Sequence, residues 1–167
     1  MSLPFLLEIG TEEIPDWMIP GALEHLEKLF RQLLDSHRLA IESLRVDATV
    51  RRLALLASGL PERQADSEEL VTGPAKSAPA QAVAGFARKL GVAVEALSVD
   101  VTPKGEYYVC TKKVAGRATR DILAEALPAL VPSIHFPKTM TWTGKSGPRF
   151  IRPIRWLVAL LGDEIVP

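Results

Sequence analysis

The chain has 167 residues and a mass of 18.2 kDa, room for one domain or two small packed ones. Hydrophobic residues make up 47% of it, enough for a core and too many for a disordered tail, while 20 basic residues balance 20 acidic ones and exclude an all-over basic coat for nucleic acid. The lone cysteine, Cys110, excludes an internal disulfide and a four-cysteine zinc site, and no apolar run approaches the ~20 residues needed to cross a bilayer.

Phe5 to Ile9 reads as a buried strand closed by Gly10, followed by the loop Thr11-Glu12-Glu13-Ile14-Pro15. The start carries no basic stretch and Glu8 interrupts it, so it is not a signal peptide; a soluble cytoplasmic protein is expected. Pro20 suits a first helical turn, where a missing N–H is no loss. From Ala22 to His37, Leu23, Leu26, Phe30, Leu33 and Leu34 recur at helical spacing, with Glu24–Lys28 and Glu27–Arg31 four apart on the other side. Leu44, Val46 and Ala48, then Leu53, Leu55 and Ala57, alternate with period two and predict two adjacent antiparallel strands.

Pro61 to Pro79 is polar and reads as a long loop, the possible boundary between two subdomains. Ser77 is placed to cap a helix with Pro79 in its first turn, running through Val83, Phe86 and Leu90 to a stop at Gly91. Pro103-Lys104-Gly105 separates Ser98–Val101 from Tyr107–Val114 as a hairpin. Thr119 or Asp121 opens another helix with Ile122, Leu123, Ala126 and Leu127 inward, its end made ragged by Pro128 and Pro132. Ile154–Leu161 is an apolar strand, Gly162-Asp163-Glu164 a turn, and Ile165 starts a further strand, as expected of a piece of a longer protein. The fold class expected is α+β, with a mixed, largely antiparallel sheet and about three packed helices.

The chain has no phosphate-binding glycine loop and no Gly-x-Ser-x-Gly elbow. His25, His37 and His135 have no metal-ligand spacing, so no metal site is expected. Three features can carry chemistry. The acids Glu8, Glu12, Glu13 and Asp16 can hold magnesium or act as an acid–base pair, or can simply compensate a helix dipole. Arg51 and Arg52, read as neighbours in a strand, face opposite sides; they contact phosphate or pair with Asp47 and Glu42. From Ala126 to Gly162 there is no acid, while Lys138, Lys145, Arg149, Arg152 and Arg155 are interleaved with Phe136, Trp142, Phe150 and Trp156. Local charge with flat stacking faces suits single-stranded or looped RNA. The same pattern suits an acidic partner surface, or aromatics that are core beneath solvated cations.

Several stretches together resemble one family. Leu6-Leu7-Glu8-Ile9-Gly10-Thr11-Glu12-Glu13-Ile14-Pro15 looks like the start of the β subunit of bacterial, heterotetrameric glycyl-tRNA synthetase. Thr49-Val50-Arg51-Arg52-Leu53-Ala54, Gly85-Phe86-Ala87-Arg88 and Lys104-Gly105-Glu106-Tyr107 continue it in order. So do Phe136-Pro137-Lys138-Thr139-Met140, Arg149-Phe150-Ile151-Arg152-Pro153-Ile154-Arg155-Trp156 and Leu160-Leu161-Gly162-Asp163-Glu164. Val50 stands where the family usually has proline, the stretch after Gly73-Pro74 is short of a customary Phe-Asp segment, and Thr141 replaces a common arginine.

The resemblance implies an enzyme joining glycine to its tRNA with ATP through a glycyl-adenylate. It places ATP, magnesium and the catalytic site on a separate α subunit. No cofactor and no catalytic residue are therefore expected on this stretch, which shows no class II arginine motif and no class I signature. Its implied partners are the α subunit, glycine tRNA and the remainder of β, where an HD-type and an anticodon-binding domain lie. Arg51, Arg52, Lys138, Lys145, Arg149, Arg152 and Arg155 are the candidates for RNA or partner contact.

Overall fold

A computed structural model describes residues 2–103, 105–144 and 147–167. In chain order its elements are β1 (Ser2–Thr11), α1 (Ile19–Ser36), β2 (Ser43–Thr49), β3 (Arg52–Pro61), β4 (Ser67–Ala75), α2 (Ala80–Leu90) and β5 (Ser98–Thr102). They continue with β6 (Gly105–Val114), α3 (Thr119–Ser133), β7 (Met140–Thr141), β8 (Arg149–Phe150), β9 (Ile154–Leu161) and β10 (Glu164–Ile165). Among the described residues every strand pairing is antiparallel and there are three α-helices, so the fold is α+β with antiparallel sheets. No described helix is long and apolar enough to cross a membrane.

The chain divides into two units: residues up to Gln64 together with those from Arg117 on, and the stretch Ala65–Gly116 between them in sequence. In the first unit a five-stranded sheet runs in the order β10-β9-β1-β3-β2. Period two puts Phe5, Leu7 and Ile9 of β1 and Leu53, Leu55 and Ala57 of β3 on one face, where all are buried. Against that face α1 lays Ala22, Leu26, Phe30 and Leu34, one per turn, and α3 adds Ile122, Leu123, Leu127, Leu130 and Val131. Phe5 and Phe30 stack with ring centroids 5.3 Å apart. Burying side chains of this size contributes about 1.5–3 kcal/mol each, which makes this layer the main source of stability.

The ends of the first unit's two segments are clasped together. Gln64 donates its backbone N–H to the Arg117 carbonyl at 2.9 Å, and Arg117 returns its own N–H to the Gln64 side chain at 3.1 Å. Thr119 donates its hydroxyl to the Pro61 carbonyl and its N–H to that of Glu62.

The second unit is a three-stranded sheet in the order β4-β6-β5 with α2. Its buried apolar side chains are Val83, Ala87, Val109 and Cys110. The expected hairpin is present as β5 and β6, with Lys104 outside the described residues. Gly91 ends α2 at φ 70°, the left-handed conformation that only glycine adopts without strain.

Three expectations need correction. The loop assigned to 61–79 contains β4, whose Glu68 and Glu69 lie directly opposite Lys113 and Lys112 of β6. Opposite charges across a ladder support a strand that its own polarity conceals. Pro74 is tolerated because β4 is an edge strand with a register shift between Thr72 and Ala75. Ser77 is not the cap of α2: Pro79 holds that position and no side chain bonds there. Pro128 and Pro132 lie inside α3, which runs on to Ser133 because buried Leu127, Leu130 and Val131 hold it against the sheet.

Candidate functional site

Of the residues singled out by charge, Arg51, Arg52, Arg152 and Arg155 converge with Glu8, Glu12 and Glu13 at one corner of the first unit, while Lys138 and Arg149 do not join them. Thr49 pairs directly with Arg52, so Val50 and Arg51 form a tight turn between β2 and β3. Arg51 is thus a turn residue and only Arg52 a strand residue, which corrects their reading as strand neighbours. The turn is strapped to the segment after β1: Thr11 donates its N–H to the Arg51 carbonyl at 2.9 Å, and Ile14 to that of Val50 at 2.7 Å. On the other side Glu12 donates its N–H to the Pro153 carbonyl at 3.2 Å, just before β9. Segment 11–14 is therefore held between the β2–β3 turn and the approach to β9.

This threading sets acids against arginines. Arg51 Nη2 lies 2.9 Å from Glu13 Oε1, Arg52 Nη1 3.3 Å from Glu8 Oε2, and Arg155 Nε 3.5 Å from Glu12 Oε1. Arg152 donates Nε–H to the Glu13 carbonyl at 3.0 Å and Nη1–H to that of Ile151 at 3.2 Å. The expected partners Asp47 and Glu42 are not the ones used; Asp47 pairs with Arg45 beside it on β2. Glu8, Glu12 and Glu13 each face a guanidinium that would repel a metal ion, and Asp16 accepts the backbone N–H of Trp17 at 2.8 Å. Among the described residues no group of three potential metal ligands occurs.

The aromatics separate into two kinds. Phe136 and Phe150 are buried against each other, centroids 5.0 Å apart and nearly perpendicular, so neither is free to stack on a base. Trp142 is half-buried against the same core. Trp156 is 40% exposed and donates its indole N–H to Glu8 Oε1 at 2.7 Å. A methyl group on Gly10 would fall within the Trp156 ring system, nearest the ring-fusion carbons. A fusion carbon has no free in-plane direction, so the indole lies face-down on the Gly10 backbone.

Lys138 is exposed, and Arg149 turns its guanidinium back onto Thr139, with Nε 3.1 Å from the hydroxyl and Nη2 3.3 Å from the carbonyl. Lys145 lies outside the described residues. His25 and His135, remote in sequence, come together: the His135 backbone N–H donates to His25 Nδ1 at 2.8 Å.

Beside this corner the sheet's other face is open. Across it Ile165, Leu160, Leu6 and Leu56 form one cross-strand row, Val158, Glu8 and Ala54 the next, and Trp156, Gly10 and Arg52 the third. Ile165 is 69% exposed, Leu56 44% and Val158 36%. The alternative reading of the chain, a purely structural subunit-interaction module with no RNA contact, requires an apolar surface of this kind, but the sequence does not place it. Its signal was present in β9, where Ile154–Leu161 carries one polar residue and reads as a strand buried on both sides.

The stretches that meet here are the same ones that carry the resemblance: the segment from Leu6 to Pro15, the arginine pair, and Arg149 to Trp156. Comparison with known proteins agrees. The family model described as glycyl-tRNA synthetase beta subunit matches residues 5–167. The glycine–tRNA ligase beta subunit of Trichlorobacter lovleyi is 45% identical over 174 residues, covering 100% of this chain and 25% of that protein. Those of Acidobacterium capsulatum and Geobacter sulfurreducens are each 44% identical, covering 98% and 100% of this chain and 24% and 25% of theirs. The chain thus spans about a quarter of the length of these relatives. With a family model matched along nearly its whole length, the chain belongs to the glycyl-tRNA synthetase beta subunit family and represents that subunit's N-terminal region.

Proposed function

We propose that this region acts as an assembly scaffold in the ligase that attaches glycine to its tRNA, docking the α subunit on the open face of the five-stranded sheet. The observation that carries this is β9. Its composition is that of a fully buried strand, yet on the open face Trp156 and Val158 are left exposed. Covering apolar surface contributes about 25 cal/mol per Å², whereas each exposed ion pair of the corner is worth about 1 kcal/mol or less. A protein surface that excludes water from Leu56, Val158 and Ile165 gains from all three together, while Arg51, Arg52 and Arg155 each already hold a glutamate. The activation of glycine with ATP and magnesium is assigned to α, and this region's contribution is to hold the assembly in which that chemistry takes place. The test is size-exclusion chromatography with light scattering of the full-length β subunit, Val158→Asp against unaltered β, mixed with α. Loss of the joint peak is expected; an unchanged joint peak would overturn the reading.

A second reading places tRNA at the corner, favoured by the outward face of the Trp156 indole and by the exposed Arg51, Arg52 and Arg155. It requires that tRNA affinity fall steeply with salt, and that Arg152→Ala, Arg155→Ala and Lys138→Ala each reduce the log–log slope by roughly one. A salt response unchanged by all three substitutions would leave the assembly reading alone.

A further inference from the structure

On the opposite face of the same strand, between α3 and β9, the first unit contains an apolar groove of about 430 Å³. One wall is α3, with Leu127, Pro128, Val131 and Pro132; the other is β9, with Leu157 and Ala159. Leu157 stands opposite Ile9 in the register, on the core side of the sheet, yet it is 55% exposed while Ile9 is fully buried. The helices that cover the rest of that face leave this part uncovered. Among the described residues Arg149 is the one charged residue lining the groove, its guanidinium is committed to Thr139, and the others make an aliphatic slot.

We infer that the groove receives apolar side chains from the segment of the β subunit that follows Pro167 in the full-length protein. Three observations select that occupant. First, Val166 and Pro167 themselves line the groove, so a chain continuing from them starts inside it. Second, the relatives carry about three quarters of their length beyond the region matched here. Third, the groove has the volume of a small-ligand pocket, while a stable contact between separate chains buries more than about 1,000 Å². A tethered segment has no such requirement, because its effective concentration beside the groove is in the mM range for a short connection.

The inference rests on the assembly reading insofar as both treat β9 as a strand covered on each side, by α on one and by its own chain on the other. The test replaces Leu157 with the photo-crosslinking residue p-benzoylphenylalanine in full-length β assembled with α. After irradiation, cross-linked peptides are mapped by mass spectrometry and cross-linked species are sized on a denaturing gel. The expected product has the mass of a single β chain and joins position 157 to a peptide following Pro167. A product joining β to α, a β–β product, or no cross-link at all would each overturn the inference. A second variant, Leu157→Asp, is expected to raise hydrogen exchange of the following segment at least tenfold while the joint peak with α persists. Unchanged exchange would contradict the inference. The two proposals fail separately, since a Leu157 cross-link to α removes only this one, and co-elution of Val158→Asp with α removes only the assembly reading.

Discussion

The two faces of the five-stranded sheet are built from the same strands and differ in what covers them. Phe5, Leu7 and Ile9 alternate along β1 with Leu6, Glu8 and Gly10; the first three are buried under α1 and α3, and the others belong to the opposite side, where, among this unit's described residues, no helix lies and only Gly10 is covered, by Trp156. Along β3, buried Leu55 is followed by Leu56 at 44% exposure. The covered face holds the chain together. The open face carries side chains of the same kind, and Leu56, Val158 and Ile165 among them stay in contact with solvent, which is the reason for proposing a partner there.

Truncation should separate the two faces most sharply. Phe30→Ala, under the stacked Phe5 ring, is expected to destabilise the full-length subunit by about 3–5 kcal/mol in denaturant unfolding, because it leaves a cavity in the sealed layer. Next comes Gly10→Ala, whose methyl displaces the Trp156 indole and breaks its bond to Glu8, at about 1–3 kcal/mol. A blue-to-red shift of Trp156 emission, read in a background without the other tryptophans, should accompany it. Arg52→Ala removes an exposed ion pair at 3.3 Å and should cost about 1 kcal/mol or less. Leu56→Ser, on the open face, should change unfolding by no more than about 0.5 kcal/mol while weakening association with α. If Leu56→Ser destabilised the chain as much as Phe30→Ala, the distinction between the faces would collapse.

The smallest expected effect is one of pH. The Arg117 guanidinium, hydrogen-bonded to Glu125 at 2.6 Å, holds that carboxyl below the usual carboxylate range. A lowered folded-state pKa stabilises above the unfolded value and loses that contribution as the pH falls through the lowered one. Glu125→Gln should therefore be slightly less stable than the parent at neutral pH, with the difference vanishing in acid. Both groups are solvent-exposed, so the difference should also shrink with salt.

Much of the first unit was legible in the sequence because its signals are local. The four-residue rhythm of Leu26, Phe30 and Leu34 and the alternation through Leu53, Leu55 and Ala57 record a face that each element buries regardless of its partner. β4 was illegible for the opposite reason. Its glutamates make sense only beside Lys112 and Lys113, some forty residues later in the chain. The candidate site shows the same division. Its residues were identified by type, yet Glu8, Glu12 and Glu13 and the arginines Arg52, Arg155 and Arg51 were read as separate groups. Which guanidinium meets which carboxylate depends on segment 11–14 passing between two other backbones, and no spacing encodes that. One clue was available: an acidic run near the start and an acid-free basic run near the end, in a chain of zero net charge.

In the proposed assembly, α is held by apolar side chains of the open sheet face and not by the arginine corner. Its most direct test is a paired one in full-length β, measuring joint elution with α by light scattering for Leu56→Asp with Val158→Asp, and separately for Arg51→Ala with Arg155→Ala. The apolar pair is expected to abolish the complex and the arginine pair to leave it intact. A complex that survives loss of the apolar residues and dissolves on loss of the arginines would contradict it.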